Sequence, residues 1–405
     1  MDTMDLQEKL KYYRQGQATG PTPAVELHIS ELCRQLDAEL VDQDAAPVIK
    51  IERFYAYSQF IPGLDHLSQQ EIQIPLLSLD QFPQNIPLDE VLIFDLETTG
   101  LAGGAGTYPF LLGFADFRPT GLRTVQYFLP DFGRESIAFL AIQALIRDKN
   151  ILLSYNGKSY DYPLLRNRYI LNRMDNPFSD FDHLDLLHIA RRVWKGSLDS
   201  CSLESIEREI FLFSRLGDIS GWLIPQAYFD YIRSGVIDDI MRVIYHNILD
   251  LLSLARLCLH LHNVENISAS DNEILRLLQL AVRRNQLSLA ESFLTELKNR
   301  KRGVPEQIMA DYSLLLKRNR HWETAVQIWT RLVQSRDHVL FAHQELAKYY
   351  EHQSRDFSKA ANHTERALQF IQTIRQLRDE PVFSIDEQDL QNRLERIRRK
   401  AVHHP

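Results

Sequence analysis

Cysteine is scarce, with Cys33, Cys201 and Cys258 alone in 405 residues. They are odd in number, far apart and without metal-ligand spacing. A disulfide framework and a cysteine metal site are therefore excluded, and a reducing compartment is expected. No apolar run approaches the ~18 residues that a membrane span needs. The charged opening, MDTMDLQEKLKYYRQ, lacks the apolar core of a secretory signal. The expectation is a cytoplasmic protein with no membrane partner. Basic excess is missing too: 46 Lys and Arg face 54 Asp and Glu, a net charge of -8. No global field draws the chain onto nucleic acid, so a polyanionic partner needs a local basic surface or bound metal.

A hydrophobic content of 44% and a charged content of 25% are those of a globular protein. The length calls for two or three domains. Residues 1–88 carry no evident chemistry. They read as a polar helix at Asp5–Arg14, a break at Pro21 and Pro23, a helix at Val25–Leu40, a linker at Asp42–Pro47 and an edge strand or two within Ile49–Phe60. This extension is expected to pack against the next domain or to bridge it to another.

Residues 89–262 alternate strands and helices. Strands are predicted at Val91–Phe94, Pro109–Phe117, Leu122–Phe128 and Ile151–Tyr155. A glycine-rich turn, Gly100–Gly106, follows the first of them. Helices are predicted at Arg134–Asp148, Tyr162–Asn172, Leu186–Trp194, Leu203–Phe211 and Arg242–His262. Three hairpin-like strands, a helix, a strand and more helices imply an α/β domain with a mixed sheet.

Residues 271–375 read as all-α and repetitive. Leu287…Ala290, Trp322…Ala325 and Phe357…Ala360 recur at intervals of 35 residues, preceded by Leu280, Leu315 and Tyr350. A large apolar residue followed three later by alanine, on this period, resembles the tetratricopeptide repeat, which implies a short solenoid able to bind a protein partner. Residues 376–405 look like a final helix and tail.

Chemistry concentrates in three places. The first is Val91–Gly100, VLIFDLETTG, where a buried strand ends in Asp95 and Glu97. Side chains alternate along a strand, so both carboxylates leave one face about 7 Å apart. Crowded, poorly hydrated carboxylates call for hard divalent cations, which prefer oxygen ligands. The second is Leu152–Leu165, LLSYNGKSYDYPLL, where Asp161 stands before a helix; taken alone, an N-cap is the simpler reading. The third is His246–Leu257, HNILDLLSLARL. His246 and Asp250 are four apart and share a helix face, as would any polar stripe on an amphipathic helix.

Together the three resemble the DEDD, or DnaQ-like, 3′–5′ exonuclease superfamily, whose fold is ribonuclease-H-like. Asp95 and Glu97 in FDLETTGL match its first motif, Asn156 and Asp161 in YNGKSYDYPLL its second, and His246 with Asp250 its third. The added repeats, with LDLLHIARRVW (184–194) and SGWLIPQAYFDY (220–231), are similar to a bacterial family that joins this domain to tetratricopeptide repeats. One departure stands out. The histidine branch spaces its third motif H-x4-D and the tyrosine branch Y-x3-D, whereas here His246 lies three intervening residues from Asp250 and Tyr245 four. The shared helix face favours His246.

The resemblance implies phosphodiester hydrolysis with two divalent cations, Mg2+ or Mn2+, held by Asp95, Glu97, Asp161 and Asp250. His246 would be the general base, and Thr98, Asn156 and Lys158 would contact a single-stranded DNA or RNA end. DNA repair is a setting that such an activity fits. A fold retained for binding, with no turnover, is the competing expectation. Asp185 reads as a helix cap and His188 as a cleft residue. Arg166, Arg191, Arg192 and Lys195 read as a solvated face or phosphate contacts, and Trp222 and Tyr228 as stacking or core aromatics.

Overall fold

The computed structural model describes residues 23–41, 47–67, 71–72, 85–100, 106–262, 270–335, 337–377 and 384–403. The helix expected at Asp5–Arg14 lies outside them, as do most of the linker at Asp42–Pro47 and of the turn at Gly100–Gly106. Among the described residues no helix is long and apolar enough to cross a membrane. The chain divides into two compact units, Met1–Ile267 and Ser268–Pro405.

The first unit is built on one seven-stranded mixed sheet. In chain order its elements are α1 (Pro23–Leu36), β1 (Glu39–Val41), β2 (Val48–Ala56) and the single turn α2 (Tyr57–Phe60). A separate two-stranded pair follows, β3 (Glu71–Ile72) and β4 (Ile86–Pro87). Then come β5 (Val91–Thr98), β6 (Pro109–Arg118), β7 (Gly121–Phe128), α3 (Glu135–Leu145), β8 (Ile151–Ser154), α4 (Asp161–Leu171) and β9 (Asp182–Asp185). The unit ends with α5 (Leu186–Trp194), α6 (Leu203–Glu209), α7 (Ile224–Ser234) and α8 (Asp238–His262).

Strand order is β1-β2-β7-β6-β5-β8-β9. The hairpin side is antiparallel, and β5-β8-β9 run parallel. From the N-terminal extension β1 and β2 join the sheet: β2 pairs with β7 over the whole length of β7, from Ile49 opposite Phe128 to Ala56 opposite Gly121. β5 lies centrally, and Val91–Phe94 are shielded on both faces, as a run without alternation requires. The 25-residue α8 packs across β5, β6 and β7. On the same sheet Tyr228 of α7 is fully enclosed, its ring stacked 4.1 Å from Phe110 and its hydroxyl donating to the Leu129 carbonyl. Tyr228 is therefore core and not a stacking residue, whereas Trp222 is 70% exposed.

The second unit is helical: α9 (Asp271–Arg283), α10 (Leu287–Asn299), α11 (Glu306–Arg318), α12 (Trp322–Leu332), α13 (Val339–His352), α14 (Phe357–Leu377) and α15 (Ser384–His403). Ala290, Ala325 and Ala360, the recurring alanines, have no exposed surface. Glu351 on α13 is enclosed by α15. It accepts from Arg393 at 3.0 Å, Arg396 at 2.8 Å and Lys400 at 2.8 Å. Burial alone raises this carboxyl, but Arg396 and Lys400 outweigh it and hold it at about 2, below the ordinary 4.5. A depressed carboxyl stabilises the fold above its unfolded value, and that contribution disappears as pH falls from about 4.5 through about 2. At neutral pH, Glu351→Gln is expected to speed hydrogen exchange of the α15 amides, since charged hydrogen bonds are worth about 1.5–3 kcal/mol. In the wild type the same acceleration should appear only below about pH 4.5. Exchange in α15 that ignores both changes would mean the cluster does not anchor it.

Candidate active site

The sheet delivers its carboxylates where β5 ends. Register between β5 and β6 shifts at Glu97 and Thr98, a bulge that re-aims the strand end. Asp95 and Glu97 leave the face covered by α8. Asn247 of α8 donates to Asp95 Oδ2 at 2.7 Å, while its own Oδ1 accepts from Gln126 at 2.8 Å. This approach requires Gly113 on β6, because a Cβ there would lie 2.0 Å from Asn247 Oδ1.

Asp161 opens α4. Tyr160 holds the N-cap position, so the aspartate is the first helical residue and not the cap. The preceding turn brings it close: a Cβ on Gly157 would meet Ser154 Oγ at 2.5 Å and Asp161 Oδ2 at 3.3 Å. Asp185 organises that turn from β9. It caps α5 by accepting from Leu187, and it also accepts from the backbone N–H groups of Asn156 at 2.8 Å and Lys158 at 3.1 Å. Asn156 sits at a φ of 66°, a left-handed conformation that asparagine tolerates better than most residues.

Glu97, Thr98 and Asp161 line one cleft of about 200 Å³, with Tyr160, Gly221 and Ile224 on its walls. Asn156 and Lys158 do not line it. The Thr98 hydroxyl donates to the Gly100 carbonyl, and His188 is exposed.

His246 and Asp250 bring the third part. His246 Nε2 stands 3.3 Å from Asp250 Oδ2. One ligand atom each from Glu97, His246 and Asp250 lie within 4.8 Å of one another. Tyr245, on the next face of α8, is 43% exposed and lines a different cavity.

Two further residues, for which the sequence offers no signal, hold this histidine. They sit in the loop between α6 and α7, where no periodicity applies. The Asp218 carboxylate meets His246 Nδ1 at 2.8 Å. A carboxylate only accepts, so the ring carries a proton on Nδ1, while Nε2 is turned toward Glu97 and Asp250, further acceptors beside which a cation would fit. Arg215 grips Glu207 with two bonds of 2.6 Å and reaches both Asp218 and Asp250. It therefore anchors both neighbours of the histidine.

The electrostatics describe a strained acidic cluster. Burial first, then the charges of Asp250 and Asp161, push the Asp95 carboxyl well above its usual range. Glu97 is raised likewise by burial and by Asp95, Asp250 and Asp161. Asp161 is raised to about 7, mainly by burial. Glu97 Oε1 is buried and has no hydrogen-bond partner among the described residues, which costs free energy unless a cation satisfies it. The donor set is all oxygen apart from one imidazole, the chemistry that divalent magnesium and manganese accept. The residues fit a divalent centre.

A comparison with family models agrees with this architecture. The family model described as the RNase H superfamily matches residues 92–262. The YprB protein of Bacillus subtilis (strain 168) is 33% identical over 287 residues, which make up 69% of this chain and 69% of that protein. Among solved structures, the family B DNA polymerase of the archaeon Pyrobaculum calidifontis shows 13% identity and a TM-score of 0.35. That overlap covers 59% of this chain and 30% of the polymerase. The chain belongs to the family of YprB, and its residues 92–262 form an RNase H superfamily domain.

Proposed function

We propose that the first unit is a metal-dependent nuclease of the DEDD branch, hydrolysing phosphodiester bonds at single-stranded nucleic-acid ends in the 3′–5′ direction. The observation that carries this is the convergence of four carboxylates from a strand and two helices beside a histidine whose tautomer a fifth carboxylate sets. Asp95, Glu97, Asp161 and Asp250 would hold two divalent cations, Mg2+ or Mn2+. When bound, the ions lower the pKa of an attacking water and offset charge on the leaving oxygen. His246 takes the water's proton on Nε2, and Asp218 stabilises the resulting imidazolium through Nδ1. Arg215 keeps Asp218 and Asp250 in place. Thr98, at the rim of the Glu97 cleft, Asn156 and Lys158 contact the strand.

The test is purified protein with end-labelled single-stranded DNA and RNA, each with Mn2+, Mg2+ or chelator. Stepwise, metal-dependent shortening from one end is expected. Binding with no shortening under any metal would support the alternative, a fold kept as a scaffold.

The buried alanines on their 35-residue interval support reading the second unit as tetratricopeptide-like and as an interaction module for a protein partner. A chain shortened to end at Ile267 is then expected to cleave short oligonucleotides and to lose that partner. Unfolding on truncation, seen by circular dichroism, would mean the helices complete the nuclease core.

A further inference from the structure

α8 carries a second stripe beside the catalytic one. Tyr245, Leu249, Leu252 and Arg256 recur at helical spacing on one face, and Tyr245 and Leu249 immediately precede His246 and Asp250. This face walls a cavity of about 500 Å³, completed by Tyr55 and Phe60 from β2 and α2 and by Phe211 and Phe213 from the loop after α6. Such a volume suits a small organic group.

The lining differs from an ordinary aliphatic core. Five aromatic rings surround it, and the Arg256 guanidinium lies 4.3 Å above the Phe211 ring while donating to the Phe211 carbonyl. Tyr245 is 43% exposed, and Phe60 and Phe213 are half-buried, so ring faces are available to a ligand. Flat π-faces with a planar cation and the Gln59 amide nearby recognise a flat, polarisable, hydrogen-bonding group; aliphatic side chains would leave that geometry unused. The cavity and the His246–Asp250 stripe lie on adjoining faces of one helix, whose diameter with side chains is about 10–12 Å.

We propose that this cavity binds an unpaired nucleobase of the same strand whose backbone lies at the carboxylate cluster. The proposal rests on the nuclease reading and narrows it, since a base paired in a duplex cannot enter an aromatic slot. The substrate is then an extended single strand and not a blunt duplex end.

The probe is a short oligothymidylate carrying one 2-aminopurine, moved position by position, with the full-length protein and chelated metal. Stacking quenches this base, so quenching confined to one or two adjacent positions is expected. Tyr245→Ala and Phe213→Ala should each weaken binding roughly 5- to 140-fold and remove the positional quench, since a base–aromatic stack is worth about 1–3 kcal/mol. Tyr245→Phe should keep both. Uniform or absent quenching, with unaltered affinity in the alanine variants, overturns the base site and returns this face to a protein occupant. A parallel assay with Mn2+ separates the two readings. Cleavage without positional quenching overturns the base site and leaves the nuclease; positional quenching without cleavage overturns the nuclease and leaves the base site.

Discussion

Asp95→Asn is expected to abolish divalent-dependent cleavage while raising the melting temperature of the metal-free protein. Asp95 lies at the centre of the cluster, where the charges of Asp250 and Asp161 both bear on it. Asparagine keeps the shape and an oxygen able to accept from Asn247, so the fold should stand. It removes one negative charge, and every remaining carboxyl repels less. The pH sign follows from the raised values. A carboxyl whose folded value exceeds its unfolded value stabilises the fold at low pH and withdraws that stability as pH rises through the folded value. For Asp161 that value is about 7. The advantage of Asp95→Asn over wild type should therefore be larger at pH 8 than at pH 5. Relief of each kcal/mol shifts a domain of this size by roughly 2–4 °C. Adding Mn2+ should stabilise the wild type and leave the variant unmoved. Unchanged turnover in the purified variant would remove the metal mechanism.

The second expected result concerns the base. His246→Ala should slow the chemical step by about 10²–10⁴-fold, the usual contribution of a positioned proton acceptor. Metal affinity should change little, because the four carboxylates remain. Tyr245→Phe should be nearly silent, since it keeps the ring in the aromatic cavity and removes only a hydroxyl away from the His246–Asp250 face. Asp218→Asn should cost about 10–100-fold, as outer partners of functional histidines do, with substrate affinity retained and activity restored by Asp218→Glu. Isothermal titration of Mn2+ into His246→Ala separates base from ligand. Loss of metal binding there would make the histidine a ligand, which its grouping with Glu97 and Asp250 permits. A crippled Tyr245→Phe beside an active His246→Ala would place the protein in the tyrosine branch.

How much of this was legible beforehand depends on the range of the physical signal. β5, β6, β7 and β8 are apolar runs bounded by turns, and helices such as Leu186–Trp194 show their period locally, so both are readable from neighbours in the chain. β9 carries no local signal: Asp182-His183-Leu184-Asp185 holds one apolar residue, and it becomes a strand because β8 supplies a parallel partner. The start of α8 at Asp238, earlier than expected, and the helix α7 likewise depend on the sheet they cover.

The site divides along the same line. Residue type and spacing alone placed Asp95 and Glu97 on one face and His246 with Asp250 on another, because strand and helix periods are local geometry. Whether those faces meet was decided by the tertiary fold, through Gly113 admitting Asn247 and Gly157 admitting Asp161. Arg215 and Asp218 were beyond sequence reasoning altogether. They lie 35 and 28 residues from their partners Asp250 and His246, in a loop without periodicity, and only packing of that loop against α8 gives a buried arginine and a second carboxylate a place beside the histidine.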